Sequence, residues 1–170
     1  MRNKYLVLLF VSNLLILLDQ FTKYFVVSHI PRHHSFWVID EIFSITHIRN
    51  PGVAFGLFAS YNIESKALIF ICISSIAIVA ILIIFHQTEN HRRLALASLI
   101  LIFSGAIGNV IDRVIHGEVI DFLYFHAGDF HFPAFNVADS CISTGVAMMI
   151  LDIVKHPPPP AGASSGQNPV

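Results

Sequence analysis

The sequence predicts an all-α membrane protein with four transmembrane helices and a small sheet outside the bilayer. The first observation is composition: 55% of the 170 residues are apolar and only 12% are charged, about half the charged share of a soluble domain. The second is that four mostly apolar segments approach the length of about 20 residues that a spanning helix needs. A net charge of -1 gives no sign of a nucleic-acid partner. Both cysteines lie in apolar stretches, which excludes a disulfide-rich secreted domain.

The four apolar segments define the predicted spans in chain order. They cover residues 5–27, 67–85, 94–111 and 137–154. The first span is interrupted by Asp19 and Lys23, whereas the second carries no charge. We expect the first span to be retained rather than cleaved as a signal peptide, because no alanine precedes Ala54 to form a cleavage site. Residues 1–156 are thus predicted to form one polytopic membrane domain, followed by a Pro-rich, disordered tail over 157–170.

Basic residues set the expected orientation, since Lys and Arg concentrate in short cytoplasmic loops. Five of the ten basic residues flank the outermost spans or fall in the short segment between the second and third. They are Arg2, Lys4, Arg92, Arg93 and Lys155. Both chain termini are therefore predicted to lie in the cytoplasm, and the two longer segments, 28–66 and 112–136, outside it.

Both outer segments carry β signals. Residues 36–48 of the first are rich in β-branched and aromatic residues, and Asn50-Pro51-Gly52 follows as a turn. We expect a short antiparallel sheet resting on the membrane surface. The second outer segment mixes Phe and Tyr with Asp, His and Gly, which favours strands or an interfacial loop.

Polar residues of the spans gather towards one end of the bundle. With a rise of about 1.5 Å per residue, Asp19 lies about 21 Å along the first span and Asn109 about 22 Å along the third. The first and third spans run outwards and the fourth runs inwards, so further polar residues fall near the same outer surface. These residues are Asp112, Arg113, Asp121, Asn136 and Asp139.

A charged side chain in the bilayer costs a few kcal/mol or more, so the charged residues of this group are functional candidates. Two pairs also have a structural explanation. Asp19 and Lys23 are four residues apart and can neutralise each other on one helix. Asp112 and Arg113 can form an interfacial ion pair.

The remaining polar residues differ in how well structure alone explains them. Capping of the fourth helix is the first structural explanation for Asp139, and Asn136 or Ser140 can fill the same role. Asp121, set in an apolar run, has the weakest structural explanation, because an unpaired carboxylate there is expensive.

Two carboxylates at a membrane boundary favour acid–base chemistry on water. Like-charge repulsion keeps one proton between them. The ionised group can then deprotonate water, while the protonated one hydrogen-bonds a scissile carbonyl and later helps the amine to depart. The residues alone leave open whether Asp121 or Asp112 is the partner of Asp139.

Other chemistries have less support. No H-E-x-x-H motif occurs, no G-x-S-x-G motif surrounds Ser104 or Ser143, and Cys141 lacks a paired His and is interpreted as helix packing. His126 and His131 could bind a metal together, but surface histidines are the commoner case, and we predict neither a metal nor another cofactor. A proton- or ion-coupled transporter would need carboxylates at the midplane and broken or repeated helices. A non-catalytic scaffold would need no acidic pair.

Five motifs occur in order along the chain. They are Leu18-Asp-Gln-Phe-Thr-Lys23, Asn50-Pro-Gly-Val-Ala-Phe-Gly56, Gly108-Asn-Val-Ile-Asp-Arg113, Val119-Ile-Asp-Phe122 and Phe135-Asn-Val-Ala-Asp-Ser140. Together, over residues 5 to about 155, they resemble the lipoprotein signal peptidase family, also called signal peptidase II. The Pro-rich tail falls outside the resemblance.

The resemblance implies an aspartic peptidase of the bacterial plasma membrane, with four helices, a small extracytoplasmic β-cradle and an active site near the outer leaflet. Asp121 and Asp139 match the catalytic pair, so it is the resemblance that favours Asp121 over Asp112. The positions expected to hold the substrate backbone and the pair are Asn50, Asn109, Arg113 and Asn136. A structural role is expected for Asp19, Lys23 and Asp112.

The substrate that the resemblance implies is a prolipoprotein whose cysteine already carries diacylglycerol, cut just before that cysteine. Such a substrate has a spanning signal helix and a lipid, and it is met where helix and lipid reach water. Apolar walls between the spans would hold the acyl chains. Membrane lipids are therefore the other expected partner, and neither a nucleic acid nor a cofactor is expected.

Overall fold

The computed structural model describes residues 3–52, 62–128 and 130–157, apart from the side chains of residues 63 and 64. The helices are α1 (Lys4–His29), α2 (Ile63–Gln87), α3 (Arg93–His116) and α4 (Val137–Lys155). The strands are β1 (Ser35–Ile39), β2 (Phe43–Asn50), β3 (Val119–Ala127) and β4 (Phe130–His131). The predicted tail lies outside the described residues beyond Pro157, as do residues 53–56 of the second motif.

All four predicted spans are confirmed as helices. In the described part of the chain, four helices are long and apolar enough to cross a membrane. Asn3 and Asn62 begin α1 and α2, because their side-chain oxygens accept the backbone N–H groups of Tyr5 (3.0 Å) and Ser65 (2.8 Å). Many large apolar side chains remain exposed along α1, α2 and α4, as expected of helices surrounded by lipid.

Helix α3 is the centre of the bundle and packs against α1, α2 and α4. Near its first residue, Phe85, Leu96, Leu99 and Ile100 form a buried apolar cluster. Towards its end, α3 buries polar residues instead, including Asn109 and Asp112. The bundle therefore has an apolar core at one end and a polar core at the other.

The predicted sheet is confirmed, and the second outer segment forms strands rather than a loop. Across the described residues the sheet has four strands in the order β1-β2-β3-β4, and all neighbours are antiparallel. Asn50 of β2 pairs with Val119 and Ile48 pairs with Asp121. Because side chains alternate between faces, Asn50 and Asp121 are diagonal neighbours on the same face of the sheet.

Candidate active site

The carboxylates of Asp121 and Asp139, here called the carboxylate pair, come from the start of β3 and the first turn of α4. Asp121 is 2% exposed and Asp139 is half-buried. Asp121 accepts hydrogen bonds from Asn50 Nδ2 (3.0 Å) and Asn136 Nδ2 (2.8 Å). Asp139 accepts them from Asn109 Nδ2 (2.7 Å) and the Asn136 backbone N–H (3.3 Å). All four donors are neutral amides.

Asn136 joins the two carboxylates. Its Nδ2 donates to Asp121 and its backbone N–H donates to Asp139, while its Oδ1 accepts the backbone N–H of Asp139 at 2.9 Å. The last two bonds form a capping box at the start of α4. The predicted capping by Asp139 is therefore confirmed, and the cap itself brings Asp139 next to the side chain that holds Asp121.

Asn109 connects the pair to a second group of charges deeper in the bundle. Its Oδ1 accepts hydrogen bonds from Lys23 Nζ and Asn136 Nδ2, both at 3.2 Å. Its Nδ2 donates to Asp139. Because all three bonds use buried or half-buried groups, the amide of Asn109 is held in one orientation.

The second group consists of Asp19, Lys23 and Asp112, here called the buried ion cluster. Lys23 Nζ lies 2.8 Å from Asp19 Oδ2 and 2.8 Å from Asp112 Oδ2, and all three residues are 1% exposed. Gly108 permits this approach, since a Cβ there would lie 2.6 Å from Asp19 Oδ2. The predicted Asp19–Lys23 pair is confirmed.

The interfacial ion pair that the sequence left possible between Asp112 and Arg113 does not form among the described residues. Asp112 pairs with Lys23 instead, because consecutive helix residues point about 100° apart and Asp112 is the one that faces α1. Arg113 is half-buried, and its Nη1 donates to the Asn109 carbonyl oxygen at 3.1 Å. Its guanidinium carbon lies 5.2 Å from the ring centroid of Phe70 on α2, a cation–π contact.

The buried ion cluster also holds the backbone on which the carboxylate pair stands. Asp112 Oδ2 accepts the backbone N–H of Ile120 (3.1 Å), and Asp19 Oδ1 accepts that of Ala138 (2.8 Å). These residues come immediately before Asp121 and Asp139. One lysine thus orders two carboxylates, each of which anchors the peptide preceding one member of the carboxylate pair.

Burial raises the pKa of Asp121 to about 6 from its ordinary value of 3.8, because desolvation disfavours the charged carboxylate. The hydrogen bond from Asn50 opposes this shift, and the nearby charge of Asp139 adds to it. The hydrogen bond from Asn136 and the charge of Lys23 also lower the pKa. Asp121 is therefore mostly protonated below about pH 6.

The sequence reasoning missed three residues that make structural contacts, two of them beside this site and one, Asp152, at the other end of the bundle. Gln20 Nε2 donates to Asp19 Oδ2 (3.2 Å) and Asp112 Oδ1 (3.0 Å), and it carried a signal as a polar residue inside a span. Asp152 of α4 is fully buried and pairs with Arg92, and its charge inside a span was the same kind of signal. Phe70 contacts Arg113 but has no distinguishing sequence feature.

Histidines and cysteines contribute less to this site. His126 and His131 stack with 5.6 Å between ring centroids, and His131 Nδ1 contacts Tyr124 Oη at 2.8 Å. Over the described ranges, no group of three or more His, Cys, Asp or Glu side chains is placed to hold a metal ion. Cys141 is buried in α4, consistent with packing.

Fold and site together define a class. Helices of spanning length and a small sheet bring two amide-held carboxylates together at one end of the bundle, an arrangement that fits an aspartic peptidase of the membrane.

Comparison with known proteins gives the family. Residues 11–155 match the family model described as signal peptidase (SPase) II. The lipoprotein signal peptidase of Syntrophus aciditrophicus (strain SB) is 43% identical over 157 residues, covering 91% of this chain and 96% of that protein. The lipoprotein signal peptidase of Geobacter sulfurreducens is 44% identical over 141 residues, covering 83% and 87%. The chain belongs to the signal peptidase II family.

A solved structure agrees with this assignment. A bacterial membrane enzyme determined by the in meso method at 1.9 Å resolution is 32% identical and superimposes with a TM-score of 0.79. The match covers 88% of this chain and 94% of the solved chain. With its four apolar helices and its family, the chain is a multi-pass membrane protein of bacteria and an aspartic peptidase.

Proposed function

We propose that this chain removes the signal peptide from diacylglyceryl-modified prolipoproteins, with Asp121 and Asp139 as its catalytic residues. Family membership supplies the reaction class. The observation that carries the assignment of residues is the bridge through Asn136, which donates to both carboxylates. In the described part of the chain, no Lys or Arg forms an ion pair with either carboxylate. One shared proton therefore balances the pair.

The proposed reaction begins with the proton on Asp121 and with Asp139 ionised. Asp139 takes a proton from water as the water oxygen attacks the scissile carbonyl carbon, and Asp121 hydrogen-bonds the carbonyl oxygen. The tetrahedral intermediate collapses as the C–N bond breaks, and a carboxyl proton goes to the departing amine. The pair returns to one proton, and no acyl-enzyme forms.

The neighbouring polar residues have separate proposed roles. Asn136 and Asn109 hold the carboxylates at a fixed spacing, since Asn136 donates to Asp121 and to Asn109 Oδ1, and Asn109 donates to Asp139. Asn50 orients Asp121, and its Oδ1 accepts the backbone N–H of Gly52 at 2.9 Å, which shapes the turn beside the site. Arg113 binds the substrate backbone with those guanidinium N–H groups that do not donate to the Asn109 carbonyl oxygen.

The proposed membrane placement follows from the basic residues and the sheet. Lys4, Arg92, Arg93 and Lys155 lie at the helix ends opposite the carboxylate pair, and such residues favour the cytoplasmic side. Both termini are then cytoplasmic, and the active site lies near the outer leaflet of the plasma membrane. A diacylglyceryl group anchored in that leaflet brings the adjacent peptide bond to the depth of the pair.

A transporter is not supported. Asp121 lies on β3, outside the helices, and the carboxylates gather at one end of the bundle rather than at its midplane. Membership of a peptidase family gives a direct alternative explanation for them.

The deciding experiment compares two substrates. Purified protein in detergent is incubated with a diacylglyceryl-modified precursor and with its unlipidated twin, and the new N-terminus of the product is sequenced. We expect cleavage of the lipidated precursor just before the modified cysteine and little cleavage of the twin. Equal cleavage of both would contradict the proposed lipid requirement, and a product with another N-terminus would contradict the cleavage position.

A further inference from the structure

A cavity lies at the opposite end of the bundle from the carboxylate pair. Its volume is about 620 Å³, and it lies between α1, the end of α2 and the start of α3. Its walls are apolar and come from Val7, Val11, Phe85, Leu96, Ala97 and Ile100. Its rim is polar and is formed by Lys4, Asn90 and Arg93. An apolar lining with a few polar groups is the usual form of a ligand site of this size.

The cavity combines charge at its mouth with apolar depth. Lys4 and Arg93 are the first residues of α1 and α3, and the two helices run in the same direction, since Lys23 further along α1 meets Asp112 further along α3. Val11 and Ile100 each lie seven residues beyond those cations, which places them about 10 Å deeper in the bundle. The apolar groove thus continues from a cationic rim into the membrane-spanning part of both helices.

Lys4 is fixed at this rim. Its ammonium donates to the carbonyl oxygens of Phe85 (3.0 Å), His86 (2.8 Å) and Thr88 (2.8 Å) at the end of α2. These neutral acceptors orient the ammonium without cancelling its full charge. The rim therefore keeps a cation in a defined position.

Arg93 differs from its neighbour Arg92. Arg92 pairs with the buried carboxylate of Asp152. The guanidinium of Arg93 is exposed and has no ion pair or side-chain hydrogen bond within the described residues. The acidic residue of the same connection, Glu89, contacts His91 at 2.9 Å. Arg93 is thus available to an anion from outside the chain.

We propose that this cavity binds an anionic phospholipid, with its phosphate bound by Arg93 and attracted by the charge of Lys4, whose three N–H donors are already used, and with an acyl chain along the apolar walls. Basic pockets between transmembrane helices fit such headgroups. A free phosphate would leave the apolar groove unfilled, and a zwitterionic lipid would offset the phosphate with its own cation. The proposal concerns a second site and does not depend on the peptidase reaction.

Native mass spectrometry of the full chain tests the proposal. The protein is titrated with phosphatidylglycerol and with phosphatidylcholine of the same acyl chains, and the first binding constant is compared. We expect phosphatidylglycerol to bind about fivefold more tightly, the ratio that one basic residue supplies near a membrane surface. Equal constants for the two lipids would overturn the proposal.

Matched variants locate the site. We expect Arg93→Gln to remove most of the preference for phosphatidylglycerol over phosphatidylcholine and Arg93→Lys to keep most of it. Lys155 is an exposed cation at the same end of the bundle that does not line the cavity. Lys155→Gln should therefore leave the preference unchanged. Ala97→Phe should fill the apolar groove and weaken the binding of both lipids. Thermal unfolding checks that each variant is folded, and Ala97→Phe provides a second test if Arg93→Gln does not fold.

Two outcomes would overturn the assignment of the site or of its ligand. If Lys155→Gln lowers the preference as much as Arg93→Gln does, the effect is one of general surface charge. If glycerol 3-phosphate displaces phosphatidylglycerol at equal concentration, the site binds a free anion rather than a lipid.

Discussion

Two pairs of aspartates lie within one hydrogen-bonded network, and their surroundings differ in one respect. Asp19 and Asp112 share the ammonium of Lys23, 2.8 Å from each. Asp121 and Asp139 accept hydrogen bonds only from neutral amides among the described residues, those of Asn50, Asn109 and Asn136. A carboxylate pair with a cation can stay charged, whereas a pair without one retains a proton.

That difference fits a structural role for the buried ion cluster and a catalytic role for the carboxylate pair. The carboxylates of the buried ion cluster also hold the backbone: Asp112 Oδ2 accepts the N–H of Ile120 as well as Lys23 Nζ, and Asp19 Oδ1 accepts the N–H of Ala138. In the proposed mechanism, the carboxylate pair keeps the shared proton that water activation requires. The number of carboxylates therefore does not distinguish the two pairs, whereas the charge of the groups that donate hydrogen bonds to them does.

The largest expected effect is the loss of catalysis on neutralising either member of the carboxylate pair. Asp121→Asn and Asp139→Asn should each lower the rate of precursor cleavage by about 10³-fold, because general acid–base chemistry is lost. Both variants should remain folded in detergent, with the free energy of unfolding lowered by about 1–3 kcal/mol at most. Asp40→Asn, an exposed acid between β1 and β2, is the matched control. Substantial turnover by either variant would remove that residue from the pair.

Breaking the buried ion cluster should have the largest effect on stability. Lys23→Met leaves two buried carboxylates without their cation and should lower the free energy of unfolding by about 3–5 kcal/mol. Denaturant titration in mixed micelles measures this, with the exposed Lys155→Met as control. Adding Asp112→Asn to Lys23→Met should recover part of the loss. A Lys23→Met protein as stable as the original would show that the cluster is not the support.

Asp19→Asn should lower the stability of the protein more than its catalytic activity. We expect a loss of about 1–3 kcal/mol in stability, because a charge-assisted hydrogen bond is weakened, and a loss of activity of less than about tenfold in the folded protein. Asp152→Asn is the matched control, since it neutralises a buried carboxylate far from the pair. A fully stable but inactive Asp19→Asn protein would place Asp19 in the chemistry.

The dependence of cleavage activity on pH should follow the loss of the proton from Asp121. Because the pKa of Asp121 is raised to about 6, activity should fall as pH rises through that value and the proton is lost. The same shift contributes stability that is present below about pH 4, the ordinary pKa range of Asp, and is lost as pH rises through the folded pKa.

Asn50→Leu sharpens the pH test, since Asn50 lowers the pKa of Asp121 by hydrogen bonding. Removing it should move the falling limb of kcat/KM to higher pH. Thr46→Val changes a buried polar residue of the same strand without touching the pair, and it should leave the limb in place. A limb that moves to lower pH in Asn50→Leu would contradict the assignment of the proton.

Removing metal ions should have the smallest effect. We expect cleavage to continue at an unchanged rate after treatment with a chelator, because the proposed chemistry uses only the two carboxylates and water. Activity that is lost with the chelator and restored by Zn²⁺ would contradict this, and His126→Ala and His131→Ala would then test the stacked histidines as ligands.

Much of the fold was predictable because it depends on local patterns. The spans follow from runs of apolar residues, and the Asp19–Lys23 pair follows from a spacing of four on one helix. The cap at Asn136 and Asp139 is equally local. The strands of the second outer segment were less certain, since their residues mix polar and aromatic types without a clear period.

The sequence by itself determined the number of spans in the described chain, the end at which polar residues gather and the motifs of the family. Tertiary structure alone decided that Asp112 faces Lys23 rather than Arg113, and that Asn136 bridges Asp121 and Asp139. The physical reason is range. Composition and helical period act between neighbours in the chain, whereas these contacts join residues whose positions depend on which helix faces pack together and on the register of β2 with β3.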